Sequence, residues 1–236
     1  MRYIIIFLSM LLGLAVWASE YGVYSPDEYK LTPDYEEMTL FILDFSNSMS
    51  EYLDGESKAD MMINTLKKIL PSISKDSYVG LRVYGHRMGF TPMEACRASK
   101  IVVPIRKNST ETISNELAEI HPRGMTPITY SLKQAIKNDF IGFTGRKHII
   151  LLTDGGENCD ESPCKFVMEL MKVRKDVFID VIAFNVDDED DLDQLKCTSL
   201  VTGGKFYSAN TAAELAKSFE NSTRAQKRVE AQIITK

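Results

Sequence analysis

Short apolar segments that alternate with amphipathic segments constrain the fold of this chain more than any other feature of its sequence. Residues 38–43 (MTLFIL) and 148–152 (HIILL) are continuously apolar, as expected for strands buried on both faces of a sheet. Between them, apolar residues spaced three or four apart predict helices, one of which begins near Lys58 and ends at Pro71. Strands that alternate with helices predict a mainly parallel sheet with helices on both faces.

Further strands are expected at residues 78–84, 101–105, 177–184 and 205–207. The strand at 101–105 contains Pro104, which lacks the backbone donor that a central strand requires, so this strand is placed at the edge of the sheet.

The first 18 residues have the character of a secretory signal peptide. Arg2 precedes an apolar run at residues 4–16, and Val16 and Ala18 are small residues at the positions before a cleavage point. The run is shorter than the roughly 20 apolar residues that span a bilayer, so cleavage is favoured over an uncleaved anchor. Residues 19–36, polar with two prolines, are expected to form an arm or linker. We therefore expect an exported chain, periplasmic or secreted, with no membrane span in its mature part.

The charge of the chain argues against nucleic acid as a partner. The formal net charge is −5, and no stripe of Lys and Arg interleaves with aromatic residues. All four cysteines lie in the part expected to be exported, where an even number is typical of disulfides: Cys96, Cys159, Cys164 and Cys197.

Three segments rich in oxygen-bearing side chains are expected at one edge of the sheet: residues 44–48 (DFSNS), 124–127 (GMTP) and 153–156 (TDGG). The carboxyl ends of parallel strands share an edge, so these segments should meet there. They contribute two carboxylates and three hydroxyls, a set that suits Mg²⁺ or Mn²⁺: Asp44, Ser46, Ser48, Thr126 and Asp154. Thr126 is also expected to cap the next helix, with Pro127 at its first position.

This pattern, D-x-S-x-S followed by T and then D, resembles the metal-ion-dependent adhesion site of the von Willebrand factor A family over about residues 37–220. Residues 84–87 (YGHR), 153–164 (TDGGENCDESPC) and 202–207 (TGGKFY) are similar to an exported bacterial branch of that family. The resemblance implies that the two serines and the threonine ligate the metal directly and that the aspartates do so directly or through water. Asn47 replaces a frequent glycine at a position that is not a ligand.

The expected domain, residues 37–236, is a three-layer α/β/α, doubly wound fold with strand order 3-2-1-4-5-6 and an antiparallel edge strand 3. The function implied is divalent-cation-dependent binding of a protein whose Asp or Glu completes the metal shell, without enzymatic activity. A purely structural metal site is one alternative. A metal-assisted hydrolase is another, but no candidate base has a recognisable setting.

Two features leave alternatives open. The acidic run at residues 187–193 either complements the positive end of the following helix or forms a second cation site. The expected topology places Cys96 and Cys159 near the metal edge and Cys164 and Cys197 on neighbouring helices. It therefore favours the pairs Cys96–Cys159 and Cys164–Cys197, with a local Cys159–Cys164 bridge as the alternative.

Overall fold

The apolar segments of the sequence form the strands of a central sheet in the computed structural model, which describes residues 37–234. The expected signal peptide, residues 1–18, and arm, residues 19–36, lie outside the described residues. The strands are β1 (Glu37–Asp44), β2 (Tyr52–Leu53), β3 (Glu56–Ser57), β4 (Tyr78–Tyr84), β5 (Ser99–Arg106), β6 (Arg146–Thr153), β7 (Val177–Phe184) and β8 (Phe206–Ala209).

Six of these strands form one sheet in the order β5-β4-β1-β6-β7-β8, and β2 and β3 form a small antiparallel pair. Neighbours in the large sheet are parallel except β5, which runs antiparallel to β4 at the edge. Numbered along the chain, the order is 3-2-1-4-5-6, so the predicted topology and the antiparallel edge strand are confirmed.

The helices cover both faces of the sheet. They are α1 (Lys58–Ile69), α2 (Pro92–Ala95), α3 (Thr110–Glu116), α4 (Ile128–Gln134), α5 (Pro163–Val173), α6 (Glu189–Val201) and α7 (Ala212–Ile234). The three-layer α/β/α arrangement predicted from the sequence is confirmed. Within residues 37–234, no helix has both the length and the apolar character needed to cross a membrane.

The core consists of two apolar layers because alternate residues of each buried strand face opposite sides of the sheet. Phe41 and Leu43 of β1 pack in the layer that contains Leu66 of α1 and Phe219 of α7. The intervening β1 residues pack in the other layer, which contains Leu132 of α4. Burial of each such side chain contributes about 1.5–3 kcal/mol, so both layers hold β1 and its neighbours in register.

Two disulfides join segments that are distant in sequence. Cys96–Cys159 links the segment before β5 to the loop after β6, with Cα atoms 5.5 Å apart. Cys164–Cys197 links α5 to α6, with Cα atoms 5.4 Å apart. This is the pairing favoured from the sequence, and the local Cys159–Cys164 alternative is wrong.

Candidate metal centre

Asp44 ends β1 and is held in place from two sides. Its Oδ1 accepts a 2.6 Å hydrogen bond from the Ser46 amide, and its Oδ2 accepts a 2.8 Å bond from the Thr153 hydroxyl. Thr153 is the last residue of the adjacent strand β6, so this carboxylate ties together the carboxyl ends of the two central strands. The side chain is fully buried and has little freedom to turn away.

The two serines of the first loop lie in a chain of hydrogen bonds that reaches the third loop. Ser46 Oγ is 3.1 Å from Ser48 Oγ, and Ser48 Oγ donates to Asp154 Oδ1 at 2.7 Å. A single 3-10 turn, Asn47–Ser50, follows Ser46, and it turns the chain so that both hydroxyls face the same side. Residues 106 positions apart in sequence are thus in direct contact, as the shared sheet edge predicts.

The second loop reaches the site through close backbone contacts. Asn47 N donates to Gly124 O at 2.9 Å, and Gly124 N donates to Gly85 O at 2.7 Å. A Cβ at Gly124 would lie 2.5 Å from Arg87 O, so only glycine allows this approach. Thr126 follows two residues later, is almost fully buried, and its backbone N–H donates to Asn158 in the loop after β6.

The predicted capping role of Thr126 is wrong. Helix α4 begins at Ile128, its N-cap is Pro127, and no side chain of the cap residue bonds to the helix. The loop after β6 supplies the acceptors instead: Asn158 Oδ1 accepts from Thr126 N and Glu157 Oε2 accepts from Thr129 N, both at 2.7 Å. The threonine hydroxyl therefore has no capping bond to make. The sequence did not reveal the roles of Asn158 and Glu157, because backbone N–H groups whose acceptors lie in a distant loop leave no local sequence pattern.

Lys58 is the other residue that sequence reasoning missed. Its Nζ lies 3.0 Å from Asp154 Oδ2 and 2.8 Å from Glu51 Oε2, and its side chain is only 8% exposed. Burial lowers the pKa of this ammonium, but the hydrogen bond to Glu51 and the charge of Asp154 raise it by more, to above its ordinary value. A lysine in the first turn of a helix faces the positive end of the helix dipole. That unfavourable position is a sign of nearby carboxylates.

The electrostatics of the site fit a divalent cation. Burial, and then the charge of Asp154, raises the pKa of Asp44 to about 7, against hydrogen bonds from Ser46 and Thr153 that lower it. Two buried carboxylates this close are therefore costly in the absence of a cation. The donors are all hard oxygens, which suits Mg²⁺ or Mn²⁺. In residues 37–234 no three side chains among His, Cys, Asp and Glu gather as a metal site, so the hydroxyls are essential to this donor set.

The acidic run at residues 187–193 serves the start of α6. Asp188 is the N-cap and its side chain accepts from Asp191 N. Asp191 in turn accepts a 2.9 Å bond from Gly156 N, two residues after Asp154. The run thus complements the helix end and braces the third loop, which matches the helix-end interpretation, and in the part of the chain that the structure describes it gathers no cation cluster.

Comparison with known proteins agrees with this fold. The family model for the von Willebrand factor type A domain matches residues 40–221. Two uncharacterised Bacillus subtilis proteins are similar: YwmD, 29% identical over 185 residues, covering 76% of this chain and 81% of YwmD, and YwmC, 30% identical over 182 residues, covering 75% and 79%.

Solved structures share the fold at lower sequence identity. Proximal thread matrix protein 1 of the mussel byssus, with a zinc-occupied MIDAS motif, has a TM-score of 0.62 at 20% identity, covering 80% of this chain and 45% of that one. The von Willebrand factor type A protein of Catenulispora acidiphila has a TM-score of 0.61 at 18% identity, covering 81% and 43%. The corresponding domain of the Porphyromonas gingivalis pilus tip protein Mfa5 has 0.58 at 15%, covering 82% and 96%. The chain thus spans less than half the length of the first two proteins.

Proposed function

Because this chain belongs to the von Willebrand factor type A domain family, we propose that it is an exported, non-enzymatic protein-binding module that uses a divalent cation. The ion, Mg²⁺ or Mn²⁺, would be held by the two carboxylates and three hydroxyls at the carboxyl edge of the sheet. The observation that carries this proposal is the continuous contact from Ser46 through Ser48 to Asp154, with Asp44 fixed beside it.

The donor set favours binding of an external carboxylate. A bound ion would supply a positive, Lewis-acidic position at which an Asp or Glu of a partner protein can bind. Three of the five side chains are neutral hydroxyls, so they orient the ion without cancelling its charge. Ser48 is half-buried whereas Asp44 is fully buried, which leaves the approach open on the serine side.

Export is consistent with the two disulfides, since such bridges persist in oxidising compartments. Mfa5, which shares the fold, is a tip protein of type V pili. We place this chain in the periplasm or outside the cell on these grounds together with the expected signal peptide.

The hydrolase alternative cannot use His148 as its base, because this imidazole lies far from the site. His148 is buried near the amino end of β6, where it contacts Glu37 and Asp180, while Asp154 follows the carboxyl end of the same strand. Five residues of strand from 148 to 153 correspond to roughly 17 Å, far beyond a hydrogen bond.

Calorimetric titration of the purified protein with Mg²⁺, Mn²⁺ and Zn²⁺ tests the metal site. Zn²⁺ is included because the mussel protein carries zinc in its MIDAS motif. We expect one site, and we expect Ser48→Ala to weaken it about tenfold or more, the size of effect typical of residues that hold a metal or its ligands. Ser50→Ala is the matched control, because Ser50 belongs to the same turn but is exposed. Equal affinities for the two variants, or no binding by the wild type, would contradict the proposal.

Capture from envelope extract then separates binding from a purely structural role. A partner retained by the wild type in Mg²⁺, but lost both with chelator and with Ser48→Ala, is the expected result. Retention that is indifferent to chelator and to the substitution would favour the structural alternative.

A further inference from the structure

We propose that Lys58 is the built-in counter-cation of the metal site: it compensates Asp154 in the metal-free domain and opposes the ion when the site is filled. The inference rests on the proposed function, since it concerns the regulation of that same site. Its consequence is that Lys58 sets how strongly the stability of the domain depends on metal.

The contact between Lys58 and Asp154 is enclosed. Their side chains are 8% and 0% exposed, with Nζ 3.0 Å from Oδ2. The other carboxylate oxygen, Oδ1, accepts from Ser48, so the ammonium and a proposed metal ligand share one carboxylate. An ammonium this close to a buried carboxylate is only weakly screened by solvent, and its charge therefore acts strongly on an ion bound at the same carboxylate.

The position of Lys58 is fixed by its backbone. Its N–H donates to Glu51 O at 2.9 Å, and the preceding residue, Ser57, caps helix α1 by accepting from Asp60 N. The loop that carries Ser46 and Ser48 continues directly to Glu51. The backbone of Lys58 is therefore held by the loop that carries the two serines and by the start of α1, and this fixes where its ammonium can reach.

Counting the buried charges gives the direction of the effect. With both carboxylates ionised, as they are when they ligate an ion, Asp44 and Asp154 contribute two negative charges and Lys58 one positive charge, so this form of the metal-free site is negative by one. A divalent ion makes the site positive by one, which an incoming carboxylate would neutralise. Without Lys58 the metal-free site would carry two uncompensated negative charges, and the filled site would already be neutral. Glu51 is 66% exposed and its charge is largely screened by water.

Helix stability does not explain a buried lysine at this position. The first turn of α1 is its positive end, where a cation is unfavourable, and burial of an ammonium adds a desolvation cost. Lys68 on the same helix shows the ordinary arrangement, exposed and in the last turn. The contacts with Glu51 and with the buried Asp154 offset both costs at Lys58.

The test compares Lys58→Met with Lys68→Met as the matched control, in chelator and in Mg²⁺. Methionine keeps most of the aliphatic length and removes the charge. In Lys58→Met we expect the metal-free Tm to fall by about 2–4 °C or more. We also expect Mg²⁺ to bind about tenfold tighter by calorimetry, because a nearby opposing charge is gone, and the rise of Tm on adding Mg²⁺ to be larger than in the wild type. Lys68→Met should match the wild type in all three.

The outcomes separate this inference from the proposed function. If the wild type binds Mg²⁺ and Lys58→Met binds it equally or more weakly, the counter-cation role is wrong and the metal site stands. If the wild type binds no ion, the proposed function fails, and an unchanged metal-free Tm in Lys58→Met would overturn the remaining electrostatic role. Lys58→Gln covers the case in which the methionine variant does not fold. Glutamine keeps a hydrogen-bond donor to Asp154 but removes the charge. A Lys58→Gln variant with the metal-free Tm and the Mg²⁺ affinity of the wild type would therefore overturn the proposal.

Discussion

Buried charged side chains lie near both ends of β6, and each end has its own chemistry. At the carboxyl end, Asp154 is compensated by Lys58. Near the amino end, His148 lies 3.3 Å from Asp180 and 3.4 Å from Glu37, and Asp180 also accepts a 2.6 Å bond from Ser222 of α7. The imidazole thus joins β1, β6 and β7, and through Asp180 it connects the sheet to the last helix.

The stability of the domain should depend on the protonation of His148. Burial alone would lower the pKa of this imidazole, but its contacts with Asp180 and Glu37 raise it to about 9. A pKa raised above the unfolded value of about 6.5 means that the stabilisation is fully present below pH 6.5 and is lost as the pH rises through about 9. The linked contribution is on the order of 3 kcal/mol. Urea unfolding between pH 6 and 9.5, in chelator, should show this loss in the wild type.

His148→Gln is the comparison for that measurement. It should be less stable than the wild type near pH 6 and should lose less further stability than the wild type up to pH 9.5, because the loss from Asp44 around pH 7 is common to both proteins. A wild type whose stability is flat across this range, or a variant with the same slope, would contradict a charged His148.

The site residues show what a sequence can reveal about a metal centre and what it cannot. Asp44, Ser46 and Ser48 form a local motif, and their contact with Asp154 followed from the rule that strand ends share an edge. The roles of Lys58 and Asn158 depend on contacts across 96 and 32 residues that no local spacing encodes. The metal ligation itself stays a prediction until an ion is titrated.

Elements were predicted best where burial alone determines them. The strands at 78–84 and 177–184 have the predicted bounds because a strand buried on both faces is largely apolar. Helix ends were predicted less well, because α4 starts at Ile128, one residue after the predicted first position at Pro127.

The Cys96–Cys159 bridge should stabilise the elements at the metal edge without taking part in metal binding. It closes a separation of 63 residues, which by chain entropy contributes roughly 4 kcal/mol. We therefore expect the Cys96→Ser, Cys159→Ser double variant to unfold at a clearly lower urea concentration. One equivalent of Mg²⁺ should still bind, because no sulfur belongs to the donor set.

The second bridge supplies the matched control for this prediction. Cys164→Ser, Cys197→Ser removes a closure of 33 residues between α5 and α6, and should cost somewhat less stability. Loss of the Mg²⁺ site in the first double variant, while the second retains it, would show that the bridge holds the ligands in place and would contradict the prediction.

At the scale of the whole molecule, the central sheet connects the candidate metal site, at the carboxyl ends of its strands, to the apolar core that packs on its faces. Phe219 of α7 packs edge-on against Phe41 in the middle of β1, with ring centroids 6.3 Å apart. Both rings are fully buried, so this contact is part of the layer that holds α7 on the sheet. The proposed ligand Asp44 lies three residues further along β1, and the two sites share no hydrogen-bond partner.

This arrangement predicts that core stability and metal stabilisation add independently. Phe219→Ala removes a buried ring and should lower the free energy of unfolding by about 3–5 kcal/mol. An ion that binds only the folded state stabilises it by about 2.7 kcal/mol when present at 100 times its Kd. That increment should be the same in Phe219→Ala and in the wild type, since substitutions without shared contacts add. Each protein is unfolded in urea without Mg²⁺ and with Mg²⁺ at the same multiple of its own Kd, which measures the stabilisation by the ion. Calorimetry measures the two Kd values. If the Mg²⁺ Kd of Phe219→Ala is more than about threefold weaker than that of the wild type, the difference exceeds the error of additive behaviour. The last helix would then be coupled to the metal edge, and the two contributions would not be independent.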